Sequence, residues 1–406
     1  MKYDVVIIGA GPAGLFSALS LNNKKVLLIE KNNNPGKKLL ISGAGQCNYT
    51  NNCSMSKFLK KYGDKGRFLK AALYNFTNKD AMNFFRENGL ESLIREDAKV
   101  FPITLSASDI LNVLVRSCKE KGVEIIYWEA AKQVTYDDAN DMFLIKTAIS
   151  TYAASNLIIA AGGMTYTKTG STGDGYALAE SFGHKIVEPK EALTPVYAKN
   201  YSFKELSGIS FEDIQVSLWR ENKKITEFSG DFLFTHVNIS GPVILNNSRY
   251  FEKGDILTVN FTSFKNAEEF KKYFDDLIIS SGKLNVKTVL KQLVLPKRFV
   301  EKIMELSHVS EDSTCSMLDK NKRKNLCELI SNHPFRVERL GSANIAMVTR
   351  GGVATEEINF KSMESKIVPH LYFAGEVIDY DGDTGGFNIQ AAFSTGRLAA
   401  DSINKQ

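Results

Sequence analysis

A glycine-rich turn close to the N-terminus constrains the fold of this chain more than any other feature. The sequence KYDVVIIGAGPAG predicts a buried strand, Tyr3 to Ile8, that runs into a helix from about Pro12 to Leu21. Between them, Gly9 permits a tight turn and Gly11 lets backbone N–H groups approach a pyrophosphate. Gly14 lets the helix pack closely on the strand. The turn therefore favours a dinucleotide-binding fold.

A second apolar strand, Val26 to Glu30, completes this pattern. It ends in a carboxylate 16 residues after Gly14, where it can accept hydrogen bonds from ribose hydroxyls. Because strand, turn, helix, strand and acidic residue occur in order, we favour a nucleotide site over a glycine-rich turn without a ligand. We assign the following residues of this part to the cofactor: Gly9, Gly11, Pro12, Ala13, Gly14, Glu30 and Lys31.

The C-terminal segment, Leu371 to Ile403, indicates which dinucleotide is bound. It predicts a short strand, a carboxylate at Glu376, a loop, and a long helix that begins near Gly386. In many flavoproteins a carboxylate in this place holds a ribityl hydroxyl, and the positive end of the helix dipole faces the flavin N1/C2 region. The alternative is an ordinary terminal helix. Together with the N-terminal turn, the segment predicts FAD.

The fold class follows from the order of these elements. A third apolar strand, Ser155 to Gly163, ends in Ala-Ala-Gly-Gly, as expected for an α/β, glutathione-reductase-like Rossmann FAD domain. We predict that residues 1–190 and 345–406 form this domain. An inserted β-rich domain, 191–265 and 333–344, and a helical subdomain, 266–332, would split it. The densest basic run, Asp319 to Asn325, is interpreted as a solvated helix face rather than a nucleic-acid contact.

Composition narrows the class of protein. The 406 residues carry a net charge of +5, which does not require nucleic acid, and the five scattered cysteines favour a reducing cytoplasm over a disulfide framework. The apolar run Val5 to Leu21 is interrupted by glycines and a proline, so we predict neither a signal peptide nor a membrane segment. The histidines and cysteines lack metal-ligand spacing, and no metal is expected.

Several longer motifs resemble one family of bacterial flavoproteins. GKKLLISGAGQCNYTN (Gly36 to Asn51), TGSTGDG (Thr169 to Gly175), RGGV (Arg350 to Val353) and the string from Ser365 to Gly396 are similar to the BaiN/YhiN-type FAD proteins. The family includes a reductase of dehydro-bile-acid double bonds, and other members are labelled aminoacetone oxidases. The resemblance covers the chain from the first strand to the last helix. It implies bound FAD and a split Rossmann-like domain.

The resemblance also implies further cofactor residues and shows three departures. Where the family has arginine, glycine and proline, this chain has Gln46, Asn238 and Thr167. On the motifs described above and on the resemblance, we also assign the following residues to the cofactor site: Lys38, Leu39, Ser42, Gly43, Gly45, Gln46, Cys47, Asn48, Ala161, Gly162, Gly163, Gly375, Glu376, Asp383, Gly385, Gly386, Phe387, Asn388 and Gln390.

We expect an FAD-dependent oxidoreductase. If the activity follows the resemblance, NAD(P)H reduces the flavin, and a hydride passes from flavin N5 to a C=C bond conjugated to a carbonyl. That reaction needs a proton source and a hydrogen-bond donor for the carbonyl. The candidates are Tyr166, His236 and Tyr380, although His236 is as readily a hydrogen-bonded histidine of the insert and Tyr380 a cover over the flavin.

Two other activities stay open: an oxidase of a small amine, and a flavoprotein that modifies tRNA. The lysine content permits the second, but no stacking-aromatic motif supports it. We therefore expect a small-molecule substrate, no nucleic-acid partner, no membrane, and NAD(P)H as a transient co-substrate.

The stretch SGAGQCNYTNNC contains two cysteines, Cys47 and Cys53, which raise the question of a redox disulfide. In a helix, six positions separate the two side chains by about 120°. We therefore favour a loop that wraps the flavin. In it, Cys47 would be a small contact and Asn48 a hydrogen-bond donor.

Overall fold

The computed structural model describes residues 2–406. Its strands are β1 Lys2–Ile8, β2 Val26–Ile29, β3 Thr50–Asn51, β4 Ser92–Ile94, β5 Lys99–Pro102, β6 Glu124–Ile126, β7 Gln133–Asp137, β8 Met142–Lys146, β9 Thr151–Ile159, β10 Ile186–Ala192, β11 Val196–Ala198, β12 Ser210–Arg220, β13 Lys223–Phe234, β14 Ile239–Ser240, β15 Ile256–Asn260, β16 His333–Leu340, β17 Val348–Val353 and β18 Leu371–Phe373.

The α-helices are joined by short 3₁₀ turns and loops. They are α1 Pro12–Ser20, α2 Lys37–Leu40, α3 Met55–Lys60, α4 Gly66–Asn75, α5 Asn78–Glu87, α6 Ala107–Glu120, α7 Asp174–Ser181, α8 Pro242–Leu245, α9 Ala267–Ser280, α10 Val286–Leu290, α11 Lys297–Leu306, α12 Lys320–Ser331 and α13 Phe387–Ile403. Within residues 2–406, none of these helices combines the length and apolar character needed to cross a bilayer.

The first unit of the chain is built on a seven-stranded sheet. Its order is β6-β2-β1-β9-β8-β7, and β18 also pairs with β9. The strands β6, β2, β1, β9 and β18 run parallel, whereas β7, β8 and β9 form an antiparallel meander. The parallel order confirms the predicted α/β Rossmann-type fold class. The sequence reading missed β7, because its five residues alternate only weakly.

Two helices of the first unit, α1 and α13, pack against each other at very short range. A Cβ atom added at Gly396 of α13 would come within 2.6 Å of the Ala13 carbonyl oxygen of α1. This contact explains the small residues of α13, because larger ones would separate the two helices. The helix begins at Phe387 after a left-handed Gly386, one residue beyond the predicted start. Both helices lie in the same apolar core as β1 and β9.

The second unit is a closed barrel with helices. The strand order is β11-β14-β13-β12-β15-β16, and α9 to α12 follow β15 in the chain. One apolar cluster contains residues of both the barrel and the helices, including Phe234 and Phe299. The shared core explains why the structure does not separate residues 266–332 from the barrel.

The chain divides into two compact units. One ends at Ala192 and resumes at Ala343, and the other spans Leu193–Ser342. The sequence placed these boundaries at 190 and 345. The second unit interrupts the first between β10 and β17, which are paired with each other within the first unit.

Candidate functional site

The glycine turn after β1 has the geometry of a phosphate-binding turn. Gly9 has a φ of +104°, and a Cβ at Gly14 would lie 1.9 Å from the Gly9 carbonyl oxygen. Larger residues are therefore excluded at both positions by the protein itself. A Cβ at Gly11 would meet no protein atom within 4 Å. The space beside Gly11, at the start of α1, fits the pyrophosphate of a dinucleotide.

The carboxylate of Glu30 lies next to this turn. It is 7% exposed. One oxygen accepts a hydrogen bond from the Ala10 N–H at 2.9 Å, and the other accepts from the Asn32 N–H at 2.8 Å and the Asn32 side chain at 2.7 Å. These bonds fix the carboxylate at the end of β2, in the orientation needed to bind ribose hydroxyls.

Lys31, the next residue, has a structural partner. Its ammonium donates to Thr172 and to Asp174, each at 2.5 Å. The ion pair connects the end of β2 to the first turn of α7 and lowers the pKa of the Asp174 carboxyl, where burial acts in the opposite direction. The predicted cofactor role of Lys31 stays a prediction.

A polar cluster joins the glycine-rich loop to the C-terminal segment. Lys38 donates to Glu376 at 2.7 Å and to Thr165 at 2.8 Å, and the Thr349 N–H donates to Glu376 at 2.7 Å. The carboxylate is thus held by groups that are distant in sequence. Gly163 belongs to the same neighbourhood, because a Cβ there would come 2.3 Å from the Thr349 hydroxyl oxygen.

The loop between α2 and β3 has a left-handed backbone. Gly43 has a φ of +55°, Gly45 of +85° and Cys47 of +57°. Ser42 donates to the Leu39 carbonyl at 2.7 Å, and Leu39 is buried. The Asn48 amide, oriented to satisfy both of its ends, donates to the Thr50 carbonyl at 2.8 Å. Asn48 therefore supports its own loop, and its predicted donation to the flavin stays a prediction.

Both thiols of this region are free. Cys47 is fully buried, and burial raises the pKa of its thiol to about 12. Burial also raises the pKa of Cys53, which is half-buried. A buried neutral thiol is a poor nucleophile, so the geometry favours the loop interpretation over a redox disulfide.

The residues that depart from the family have local partners. Gln46 accepts a hydrogen bond at 2.6 Å from Arg95, whose guanidinium lies 4.0 Å from the centre of the Phe101 ring. Thr167 donates to the Asn344 side chain at 2.9 Å. A guanidinium is therefore present beside position 46, supplied by a different part of the chain.

The loop before α13 is fixed by two lysines. Lys65 contacts Asp379 at 2.5 Å, and Lys61 contacts Asp383 at 3.2 Å. The Asn388 side chain accepts from the Gly382 N–H at 2.8 Å. Gln390 is fully buried, and its side chain accepts from Thr50 at 2.7 Å. Sequence reasoning missed both lysines, because only the tertiary structure pairs them with these carboxylates.

The other predicted cofactor residues surround the same loop. Gly375 has a φ of +76°, and its N–H donates to Thr395 at 2.9 Å. Left-handed glycines continue at Gly385 and Gly386, before the buried Phe387. The remaining predicted residues lie at the start of α1 or directly after β9: Pro12, Ala13, Ala161 and Gly162.

The structure places the three candidate catalytic residues in different settings. Tyr166 belongs to the first unit, has a φ of +52°, and is partly exposed beside Thr165. Tyr380, in the same unit, is 2% exposed, and burial raises the pKa of its hydroxyl far above the usual value. His236 is an exposed residue of the second unit, after β13. Tyr166 directly follows Thr165 of the Lys38–Glu376 cluster, and Tyr380 interacts electrostatically with Glu376 of the same cluster.

Sequence reasoning assigned Trp128 to a strand and missed its position at the nucleotide end. The strand β6 ends at Ile126, and Trp128 has a φ of +61° and is 76% exposed. The backbone N–H of Trp128 donates to the Asn32 carbonyl at 3.0 Å, two residues after Glu30. An exposed indole at the carboxyl end of a parallel strand is available to stack on a base. The signal in the sequence was a tryptophan directly after a short strand.

These residues fit FAD. The open space beside Gly11 can hold a pyrophosphate. The Glu30 carboxylate can bind a ribose, and the Glu376 carboxylate can bind a ribityl hydroxyl. All three lie at the carboxyl edge of the parallel strands, where this fold class binds dinucleotides.

Three relatives are similar to this chain in sequence over nearly its full length. The chain is 34% identical to a ribosomal RNA dihydrouridine synthase of Haemophilus influenzae, covering 99% of this chain and 98% of the relative. It is 30% identical to the ribosomal RNA dihydrouridine synthase of Escherichia coli, covering 99% and 98%. A 3-dehydro-bile acid delta(4,6)-reductase of Clostridium scindens is 27% identical, with 97% of each chain covered.

Solved structures share the fold. A 3-ketosteroid delta1-dehydrogenase from Sterolibacterium denitrificans superposes with a TM-score of 0.56 at 12% identity, covering 100% of this chain and 99% of that one. A 3-ketosteroid-delta4-(5alpha)-dehydrogenase from Rhodococcus jostii gives a TM-score of 0.52 at 15% identity, covering 100% and 97%. At such low identities the likeness shows the fold alone.

The model of the HI0933-like protein Rossmann domain matches residues 3–402, nearly the whole chain. With the dinucleotide turn, the oriented carboxylates and the relatives described above, this match identifies an FAD-dependent oxidoreductase that belongs to the HI0933-like family.

Proposed function

We propose that this protein reduces the C5=C6 bond of a uracil base in ribosomal RNA, giving dihydrouridine, with NAD(P)H as the electron donor. The observation that carries the proposal is the identity of 34% and 30%, over nearly the full length, to two ribosomal RNA dihydrouridine synthases. The expectation of a small-molecule substrate without nucleic acid is thereby replaced by its RNA-modifying alternative, with ribosomal RNA in place of tRNA.

The chemistry agrees with the other relative. The C5=C6 bond of uracil is conjugated to the C4 carbonyl, and the double bonds named for the bile-acid reductase are conjugated to a 3-keto group. Both reductions add a hydride to the carbon distal to the carbonyl and a proton to the other carbon. Reduced FAD, when bound, supplies the hydride. The chain's own residues must orient the base and supply the proton.

Tyr166 is the candidate proton donor that the geometry favours. Its left-handed backbone is unusual for a bulky residue, and it is held by an N–H donation to the Ala343 carbonyl at 2.7 Å. Its neighbour in the sequence, Thr165, accepts a hydrogen bond from Lys38 of the Glu376 cluster. A partly exposed phenol at this point is accessible to a substrate, whereas the hydroxyl of Tyr380 is buried.

The test is anaerobic and has two half-reactions. NADH, NADPH or a small amine is mixed with the oxidised protein, and bleaching of the flavin band identifies the donor. In vitro transcribed bacterial ribosomal RNA is then added, and re-oxidation of the flavin is followed together with the mass gain of two hydrogen atoms on uridine. RNA that leaves the flavin reduced, while a steroid enone re-oxidises it, would favour the bile-acid type of activity instead.

The role of Tyr166 is tested in the same experiment. Tyr166→Phe is expected to leave flavin reduction by NAD(P)H unchanged and to slow re-oxidation by RNA about 100-fold, the usual size of a general-acid contribution. His236→Ala serves as the comparison variant. Re-oxidation at the wild-type rate in Tyr166→Phe would remove this residue, and slow re-oxidation in His236→Ala alone would assign the proton to the second unit.

A further inference from the structure

We propose that a cationic face on α3 and α4 binds the phosphates of the RNA strand that flanks the target base. We call it the α3–α4 face; it consists of Lys57, Lys60, Arg67 and Lys70. The inference rests on the proposed function and adds the surface by which the substrate is held.

The segment from Lys57 to Lys70 carries much more positive charge for its length than the chain as a whole. Between Lys57 and Lys70 there are six lysines and arginines and one acidic residue, Asp64, so its net charge is +5. The whole chain of 406 residues also has a net charge of +5. The segment alone therefore carries a charge equal to the net charge of the whole chain, as expected for a phosphate-binding surface.

The six cations divide into two groups. Lys61 and Lys65 are partly buried and contact Asp383 and Asp379. The four residues of the α3–α4 face are exposed, and none of them forms an ion pair with any residue in 2–406. The first group fixes the segment on the protein, and the second leaves four charges for an external anion.

The geometry of the helices aligns these charges. Lys57 and Lys60 are three positions apart on α3, and Arg67 and Lys70 are three apart on α4, so each pair shares one helix face. Tyr74, four positions after Lys70, is 53% exposed. The opposite side of α4 is buried and packs against α13. An exposed aromatic ring beside a row of cations suits single-stranded RNA, because it can stack on a base.

The face is also connected to the flavin end of the first unit. Asp379 and Asp383, which hold Lys65 and Lys61, belong to the loop that leads into α13. Tyr62, between α3 and α4, donates to the Phe387 carbonyl at 2.8 Å. RNA bound on the α3–α4 face would therefore lie beside the loop and helix start that are assigned to the flavin.

The basic run of the second unit provides a matched control. We call it the α12 run; it consists of Lys320, Lys322, Arg323 and Lys324. Two of its four charges are already paired, Arg323 with Asp275 at 3.4 Å and Lys324 with Glu328 at 3.6 Å. The two surfaces carry the same number of cations and differ in how many are available to an external anion.

The experiment compares two quadruple variants of the full-length holoprotein. In one, Lys57, Lys60, Arg67 and Lys70 are each replaced by Gln, and in the other the same is done for the α12 run. Binding of fluorescent in vitro transcripts of bacterial ribosomal RNA is measured by anisotropy between about 50 and about 200 mM salt. FAD content and the rate of flavin reduction by NAD(P)H are measured in parallel and are expected to be unchanged in both variants.

We expect the α3–α4 variant to bind RNA at least about 100-fold more weakly at low salt, with a slope of log affinity against log salt reduced by about three. The α12 variant should change the slope by about one or less. Equal losses in both variants, or wild-type affinity and slope in the α3–α4 variant, would overturn the inference.

The outcome also separates this inference from the proposed function. If the wild-type protein forms dihydrouridine while the α3–α4 variant binds RNA normally, the surface is wrong and the function stands. If the wild-type protein neither binds nor modifies RNA, both are wrong.

Discussion

The two units of this chain differ in their aromatic cores and in where the predicted cofactor residues lie. The second unit is filled with phenylalanine: Phe203, Phe232 and Phe335 lie 4.9 to 6.3 Å from Phe234, measured between ring centres. The first unit has an apolar core too, but at the edge of its sheet it holds charged groups such as Glu30 and the Lys38–Glu376 pair. The second unit also buries charges, Asp255 at 3% and Lys302 at 8% exposure, but these are paired with Arg220 and Glu205. All of the predicted cofactor residues lie in the first unit.

The largest effect that would test this comparison is expected in the barrel core. Phe234→Ala should lower the free energy of unfolding of the second unit by about 3–5 kcal/mol, because it removes a fully buried ring. Hydrogen exchange followed by mass spectrometry should show loss of protection in β12 to β15. The FAD affinity should stay within about two-fold of wild type, and a parallel loss of FAD would show that the two units do not act independently.

The next effect is a pH dependence located in the same core. Burial lowers the pKa of His333 from 6.5 to about 4, and the ring lies 4.5 Å from Phe335. His333 is therefore neutral in the folded protein, while the unfolded chain takes up a proton below about pH 6.5. Stability is fully present above pH 6.5 and is lost as the pH falls toward 4, by about 1.4 kcal/mol per pH unit.

His333→Phe should remove most of this slope in urea unfolding between about pH 7 and about pH 5. His308→Asn, at an exposed position of the same unit, is the control and should retain it. An unchanged slope in His333→Phe would mean that other groups dominate the acid sensitivity of this unit.

A smaller effect is expected in the first unit, on cofactor binding rather than on unfolding. Glu376→Gln should weaken FAD binding by about 1.5–3 kcal/mol, the contribution of hydrogen bonds to a charged group, and leave the barrel unaffected. Isothermal titration of the apoprotein with FAD measures this change. Glu227→Gln, an exposed carboxylate of β13, is the matched variant and should bind FAD normally. Normal affinity in Glu376→Gln would remove this carboxylate from the cofactor site.

The smallest effect concerns the two tryptophans, one in each unit. We expect Trp128 to stack on the adenine, so Trp128→Ala should lower FAD affinity by about 1–3 kcal/mol and leave FMN affinity unchanged. FAD should quench the tryptophan fluorescence of a Trp219→Phe variant, in which Trp128 remains. It should quench a Trp128→Phe variant much less, because the indole that we expect to stack on the adenine is then absent. Equal quenching in both variants would contradict this position.

Most of the cofactor residues of the first unit could be predicted from the sequence because the patterns that indicate them are local. The strand and glycine turn at Gly9–Gly14 and the carboxylate at the end of β2 follow from short stretches of chain. The sequence did not predict contacts between side chains that are far apart in the chain. The ion pairs Lys61–Asp383 and Lys65–Asp379 join residues more than 300 positions apart, and no local pattern announces them.

The basic segments show the same limit in another way. The α12 run lies in the densest basic stretch of the sequence, which we interpret as a solvated helix face. The structure pairs half of that run with carboxylates of α9 and α12 and leaves the α3–α4 face unpaired. Whether a lysine is available to a ligand depends on which carboxylates the fold brings beside it.

The sequence by itself determined the fold class, the dinucleotide turn and the family, because glycine conformation, hydrophobic periodicity and motif order act over short distances. Only the tertiary structure decided that Cys47 is buried, that Glu376 is held by Lys38 and Thr349, and that Trp128 is exposed with its backbone N–H bonded to Asn32. Burial and charge pairing depend on contacts between segments far apart in the chain, and these contacts exist only once the sheet and its helices have packed.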